Sequence, residues 1–331
     1  MRRARFLAAA VVFAALCGAA ASPPAFSQAP QFPSKPLRVI VPFPAGGTTD
    51  IVARLVASRM SETMGQPVVV ENRGGAGGSI GADVVAKSAP DGYTLLMHNV
   101  TFPMASVALA IANRAPYNID TDFAGVSIAV YVPLVITAHP SASGKDLRET
   151  VSYLQNNKNI RYTYGSTGPG SFMHVMGETL QRDAKIEMTH VPFKGAAPLK
   201  QELIAGRLNL GGDQLSSSLA DIKAGKLKAL ATCASSRIAD LPEVPTVREL
   251  GFPAMEADGW NGLFVPAKTP REVIERLHKE VAAAVRHPET AKRLLDLGAE
   301  PVGSSPAEQD AILRRQVEQF RPVIREMRIE N

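Results

Sequence analysis

Pro36-Leu-Arg-Val-Ile-Val-Pro-Phe-Pro-Ala-Gly-Gly-Thr-Thr-Asp-Ile-Val-Ala-Arg-Leu-Val56 carries a strand into a helix through a glycine-bearing turn. Leu37 to Val41 is a nearly continuous apolar run, the pattern of a strand buried on both faces of a parallel sheet. Two prolines and two glycines between 42 and 47 stop it. Apolar residues then recur at Ile51, Val52, Leu55, Val56 and Met60, one face of a helix ending near Gly65, with Thr48 or Thr49 as its N-cap. The first N–H groups of a helix have no partner within it and carry a partial positive charge. Such a start favours a small anion; the same glycines also serve a plain βα turn.

The pattern repeats along the chain. A strand over 67–71 runs into Gly74-Gly-Ala-Gly-Gly-Ser-Ile-Gly81 and a helix reaching about Lys87. A dinucleotide fingerprint fails there, because glycine is needed at position 80 and isoleucine occupies it. Residues 93–97 read as the next strand, whose end places His98 and Asn99 at a crevice or in a solvated loop. Apolar runs cover 123–130 and 132–137, the second holding Pro133, and 132–139 reads as a crossing between domains. A second αβ set follows: helix 147–156, strand 160–164, the turn Gly165-Ser-Thr-Gly-Pro-Gly-Ser171, helix 172–182 and strand 186–193. Helix 197–205, strand 207–212 ending before Asp213, helix 216–224 and strand 226–233 complete it. Strand 260–265 is the return crossing. Thr269-Pro-Arg-Glu272 and Ser305-Pro-Ala-Glu308 read as capping boxes with proline at the first helical position. Pro288 starts a helix that Gly298 ends, and Pro322 should kink or end the last one.

The bulk properties narrow the classes. A chain of 331 residues, 45% hydrophobic and 20% charged, has room for about two domains and is neither disordered nor fibrous. Arg2, Arg3 and Arg5 precede an apolar run to about Ala21 and then small residues, the layout of a cleaved signal peptide over 1–29 with Cys17 in its apolar core. Losing those arginines lowers the formal charge of +5 by three, and no basic stripe remains, so nucleic acid is excluded as a partner. Cys233 then stands alone and reads as a buried thiol. Six histidines show no HExxH spacing and no cysteine pair accompanies them, so no metal is expected. A nucleophile elbow is missing too: Gly168-Pro-Gly-Ser171 has the wrong form, and His174 follows Ser171 on the same helix, poorly placed as its base. The expectation is a non-enzyme without cofactor: two αβ domains crossed twice, each offering a glycine turn and a helix N-terminus to one cleft, closing on a small anion.

From about Pro33 to the C-terminus the chain resembles the periplasmic substrate-binding receptors of tripartite tricarboxylate transporters, the Bug family. The resemblance rests on Val41-Pro-Phe-Pro-Ala-Gly-Gly-Thr-Thr-Asp50, Val70-Glu-Asn-Arg-Gly-Gly-Ala-Gly-Gly78 and Ala89-Pro-Asp-Gly-Tyr-Thr-Leu95. Tyr164-Gly-Ser-Thr-Gly-Pro-Gly-Ser171 with His174, His190-Val-Pro-Phe-Lys-Gly195, Ala224-Gly-Lys-Leu-Lys-Ala-Leu230, Leu241-Pro-Glu-Val-Pro-Thr246 and Leu297-Gly-Ala-Glu-Pro-Val302 extend it. It implies an α/β, two-domain periplasmic-binding-protein fold of the Venus-flytrap type (type II), with a hinge and an interdomain cleft. Domain 1 would comprise 31–130 plus 258–331 and domain 2 would comprise 131–257. The family's turn after the first strand holds a ligand carboxylate, a role that falls here on Phe43, Ala45, Gly46, Thr48 and Asp50. The second domain would add Ser166, Gly170, Ser171 and His174, with Lys194 and Asp213 at strand ends facing the same cleft. Two segments depart from the family pattern: His98-Asn-Val-Thr-Phe-Pro103 with the apolar run to Ile111, and Gly211-Gly-Asp213 where Met-Phe-Asp is common.

The resemblance thus implies a monomeric periplasmic receptor for a small carboxylate (a di- or tricarboxylate, an amino acid or an aromatic acid). Its partners would be the membrane subunits of the transporter or, alternatively, a sensor kinase of a two-component system; an exported α/β hydrolase is the remaining reading. Alanine at Asp50 or at Ser171 is expected to weaken ligand binding with the fold intact, as a binding titration on each variant would reveal; parent-like affinity in both contradicts the assignment.

Overall fold

The structure, a computed structural model, describes residues 32–327; the signal-peptide reading of 1–29 lies outside them. Strand β1 (Leu37–Val41) is buried except at Arg38, as its apolar run demands. It pairs in parallel with β2 (Val68–Asn72) and β3 (Thr94–Asn99). Parallel neighbours need a crossover between them, and α1 (Thr48–Met64) and α2 (Ser79–Ala86) supply it. Helix α3 (Thr101–Ile111) follows β3 directly. Antiparallel β4 (Phe123–Tyr131), β10 (Trp260–Pro266) and β11 (Glu300–Pro301) complete a six-stranded sheet ordered β11-β4-β10-β3-β1-β2.

The second sheet has five strands in the order β7-β6-β8-β5-β9. They are β5 (Leu134–Ala138), β6 (Thr163–Ser166), β7 (Thr189–Pro192), β8 (Leu210–Gln214) and β9 (Lys228–Thr232). β6 runs parallel to β7 and β8, while β5 runs antiparallel to β8 and β9. Helices α4 (Leu147–Asn156), α5 (Phe172–Ala184), α6 (Ala196–Ile204) and α7 (Leu219–Lys223) connect these strands. The C-terminal helices α8 (Arg271–Arg286), α9 (Pro288–Leu295) and α10 (Pro306–Glu326) return to the first sheet, where α8 and α10 pack on β4.

The chain passes between the sheets twice. Val132 and Pro133 lead from β4 into β5, and Ala257, Asp258 and Gly259 lead back into β10. The two passages are bonded to each other, Val132 N–H donating to the Gly259 carbonyl at 2.9 Å. Beside them Trp260 is buried, its Nε1–H donating to Gln316 Oε1 at 2.8 Å, so α10 is tied to the start of β10. Among the described residues no helix is long and apolar enough to cross a membrane.

Several local expectations are corrected. β3 continues two residues past Met97, so His98 and Asn99 are buried strand residues. β6, β7 and β8 begin later than their apolar runs suggest, and β8 extends through Asp213 to Gln214. Thr269 does not cap a helix: its hydroxyl donates to the Pro266 carbonyl at 2.7 Å, and α8 starts at Arg271 behind Pro270. Ser305 and Glu308 do form the reciprocal box at the head of α10. Pro322 does not end α10, which runs on to Glu326; the carbonyl deprived of its donor belongs to Glu318, an exposed residue whose backbone water can reach.

Gly259 tests the passages. A Cβ there would lie 2.1 Å from the Val132 carbonyl oxygen and 2.9 Å from Leu134 Cγ, so backbone has to move. Gly259→Ala is expected to lower stability by about 1–3 kcal/mol, read as a lower urea midpoint; an unchanged midpoint contradicts the described contact.

Candidate functional site

Helix α1 begins without a side-chain cap. Its N-cap is Gly47, neither of the threonines, and nothing accepts from its first N–H groups through a side chain. Thr48 and Thr49 open the helix and both are buried. Thr49 Oγ1 accepts from Asn99 Nδ2 at 2.9 Å, and Asn99 Oδ1 accepts from Thr101 N–H at 2.9 Å. The Thr48 hydroxyl, on a residue only 1% exposed, has no partner among the described residues.

Asp50 faces back into its own turn. Its carboxylate accepts from Gly46 N–H at 3.0 Å, from Arg54 Nε at 3.1 Å and from Asn72 Nδ2 at 2.9 Å. Burial alone would raise its pKa; the bonds from Arg54, Gly46 and Asn72 outweigh that and hold the carboxyl below the usual range. Asn72 Nδ2 also reaches the Phe43 carbonyl at 2.9 Å. Asp50 thereby fixes the shape of the turn whose tip, Ala45 and Gly46, is exposed. Phe43 is buried, its ring edge-on to His98 at 5.3 Å between centroids.

The turn after β6 is braced from below. Gly168 and Gly170 take φ of 130° and 70°, a region that favours glycine. Gly170 N–H donates to His174 Nδ1 at 2.9 Å, and the buried Ser166 Oγ lies 2.7 Å from His190 Nε2. The rings of His174 and His190 stack with centroids 4.0 Å apart and planes 8° from parallel. Ser171, fully buried, is the N-cap of α5, and its hydroxyl has no partner among the described residues.

The two turns meet. A Cβ on Gly77 would lie 2.7 Å from the Pro169 carbonyl oxygen, and one on Gly170 would lie 3.1 Å from Ala105 Cα. Between the sheets is an inner cavity of about 20 Å³ bounded by Phe43, Thr48, Thr49, Asn99, Thr167, Asp213 and Gln214. A second hollow of about 220 Å³ shares Phe43 and Thr167 with it and reaches the exposed Lys194. Gln214 spans the sheets, donating from Nε2 to the Trp260 carbonyl at 3.2 Å and accepting from Asn261 Nδ2 at 3.0 Å. Asp213 accepts from Ser217 Oγ at 3.1 Å. Burial pushes its pKa up to about 6 despite the Gln214 N–H, Ser217 and Lys200.

Of the residues singled out from the sequence, Phe43, Thr48 and Asp213 border the inner cavity and Lys194 the outer one. Asp50, Ser166 and His174 stand behind the turns as their supports. Thr49, Thr167 and Gln214 border the inner cavity without having been singled out. Thr167 lies inside the glycine motif that drew attention to its neighbours, whereas nothing in the local sequence marks Gln214. Larger hollows of about 430 and 690 Å³ are lined by second-sheet segments alone, and one of about 640 Å³ lies at the chain passages, bordered by Val132, Pro133, Asp258, Gly259, Leu295 and Gly298.

A family model described as tripartite tricarboxylate transporter family receptor matches residues 52–329. Protein BugT of Bordetella pertussis is 33% identical over 326 residues, 98% of each chain. MatC from Rhodopseudomonas palustris, solved with bound malate, is 34% identical with a TM-score of 0.83, covering 88% of this chain and all of its own. A second R. palustris protein, solved with adipate, is 32% identical with a TM-score of 0.79, covering 89% of this chain and 97% of its own. The fold is accordingly the two-domain α/β architecture of periplasmic binding proteins, and the family is one of receptors, not of enzymes.

The buried histidines set the acid response. Burial lowers His98 to about 3 and His174 to about 4, and burial with the adjacent His174 lowers His190 to about 4. An unfolded histidine protonates near 6.5, so their stabilisation is fully present above that pH and is lost as pH falls toward 4. Asp213, raised to about 6, opposes them, because it takes up its proton in the folded state first. Three groups against one give a net loss: urea denaturation at pH 7.5 and pH 5 should show the lower midpoint at pH 5. Equal midpoints would mean that these rings are not held neutral.

Proposed function

The chain belongs to the tripartite tricarboxylate transporter receptor family, and from that premise we propose that it is an exported, periplasmic receptor capturing a small carboxylate between its two sheets for the membrane subunits of such a transporter. The observation that carries this reading is the start of α1: N–H groups with no side-chain cap and the unpartnered hydroxyl of Thr48, both at a cavity between the sheets. A carboxylate supplies the negative charge and acceptor oxygens that such a helix start lacks. The relatives solved with malate and adipate point to the same chemistry.

In this reading 31–130 with 258–331 and 131–257 are the two domains, divided where the chain passes between the sheets. The turn of Phe43, Ala45, Gly46, Thr48 and Asp50 receives the carboxylate, Asp50 by holding the loop. Ser166, Gly170, Ser171 and His174 form or brace the opposing turn, and Lys194 and Asp213 face the remainder of the ligand. The protein acts as a monomer and needs no cofactor.

A thermal-shift screen of the purified protein against di- and tricarboxylates, amino acids and aromatic acids tests this. A ligand that binds only the native state stabilises it by about 2.7 kcal/mol at a hundred times its Kd, so one carboxylate class should raise the melting temperature clearly. Thr48→Val should cost about 1 kcal/mol of binding, roughly a fivefold weaker Kd, without moving the ligand-free melting temperature by a comparable amount. No shift from any carboxylate, on protein freed of carried-over ligand by unfolding and refolding, contradicts the proposal.

A further inference from the structure

We propose that Asp213 makes this cleft selective for carboxylates that also carry a hydrogen-bond donor, a hydroxyl or an ammonium group, close to the bound carboxylate. The inference rests on the proposed placement of a carboxylate at the head of α1 and adds what its substituents must be.

Polar accounting around the inner cavity leads to it. Gln214 spends its amide on Trp260 and Asn261, and Asn99 spends its amide on Thr49 and Thr101. Among the described residues the Thr48 hydroxyl is unpartnered, and Asp213 is the only ionisable side chain bounding the cavity. Asp213 has a single side-chain donor, Ser217 at 3.1 Å, and no ion pair among the described residues. The nearest candidate cation, Lys200, is paired instead with Asp221 at 2.9 Å and donates to the Ser217 carbonyl at 2.7 Å. A carboxylate has about four acceptor positions, so a half-buried one beside the cavity, with Ser217 and the Gln214 N–H as its donors, has acceptor capacity left for a donor on the ligand.

Charge points the same way. Two like-charged carboxylates at such a spot repel, which disfavours placing an unsubstituted ligand's second carboxylate against Asp213. A hydroxyl or ammonium group removes that conflict and donates to Asp213.

Matched pairs provide the test, by calorimetric titration at pH 7.5: malate and aspartate against succinate, and 2-hydroxyadipate and 2-aminoadipate against adipate. The donor-bearing member of whichever chain length binds should be tighter by roughly ten- to hundredfold, the discrimination expected for a hydrogen bond to a charged group. Asp213→Ala should erase most of that preference; Asp213→Asn, closer in shape, should keep part of the hydroxyl preference and lose the ammonium one. Pairs binding within twofold of each other, or a preference untouched in both variants, overturn the role of Asp213 while leaving a carboxylate receptor in place. If no carboxylate of the thermal-shift panel binds, the carboxylate reading itself falls and this inference with it.

Discussion

The most consequential constraint in this molecule is a helix that starts in a buried place without a cap. A helix N-terminus needs acceptors for its first N–H groups, and surface helices find them in water or in a serine, threonine or aspartate side chain. Here glycine stands at the N-cap of α1, the next two residues are buried threonines, and Asp50 turns its carboxylate away to Gly46, Arg54 and Asn72. The sequence keeps three good capping side chains within reach and uses none of them as a cap. The unmet demand is directed into the gap between the two sheets, where a ligand can meet it.

Much of the surrounding structure can be understood as holding that gap in shape. The Asp50 cluster fixes one turn, and the stacked imidazoles of His174 and His190 brace the other through Gly170 and Ser166. Both sets of supports lie behind their turns rather than in the cavity, which is how a small polar site keeps its geometry. Gln214 ties β8 to β10 across the junction, and the Val132–Gly259 bond joins the two passages of the chain. A receptor that closes about these passages needs two stiff turns and a narrow connection, and the local chemistry supplies both.

Legibility in the sequence followed physical contrast. The β1-turn-α1 unit could be read because apolar run, proline–glycine break and helical spacing follow each other sharply, and the ordered glycine motifs led to the family. Strand limits were less legible: β6, β7 and β8 are set by pairing partners, and Asp213 and Gln214 look like loop residues until β8 is paired with β5. The two proline-headed boxes looked alike, yet Thr269 is captured by the Pro266 carbonyl whereas Ser305 is free to cap. Similarly, Asp50, Ser166 and His174 could be located from motifs, but whether each faces the cavity or supports a turn depends on partners distant in the chain.

The role of the uncapped start of α1 is tested most directly by the chemical shifts of backbone amides in an isotope-labelled sample titrated with a binding carboxylate. If the carboxylate completes the head of α1, the Thr48 and Thr49 amide protons should move downfield more than any others in the first domain, with accompanying changes at Gly170 and Ser171. If the largest shifts fall away from both turns, with Thr48 and Thr49 unmoved at saturation, the carboxylate binds elsewhere and the uncapped helix start is not its site.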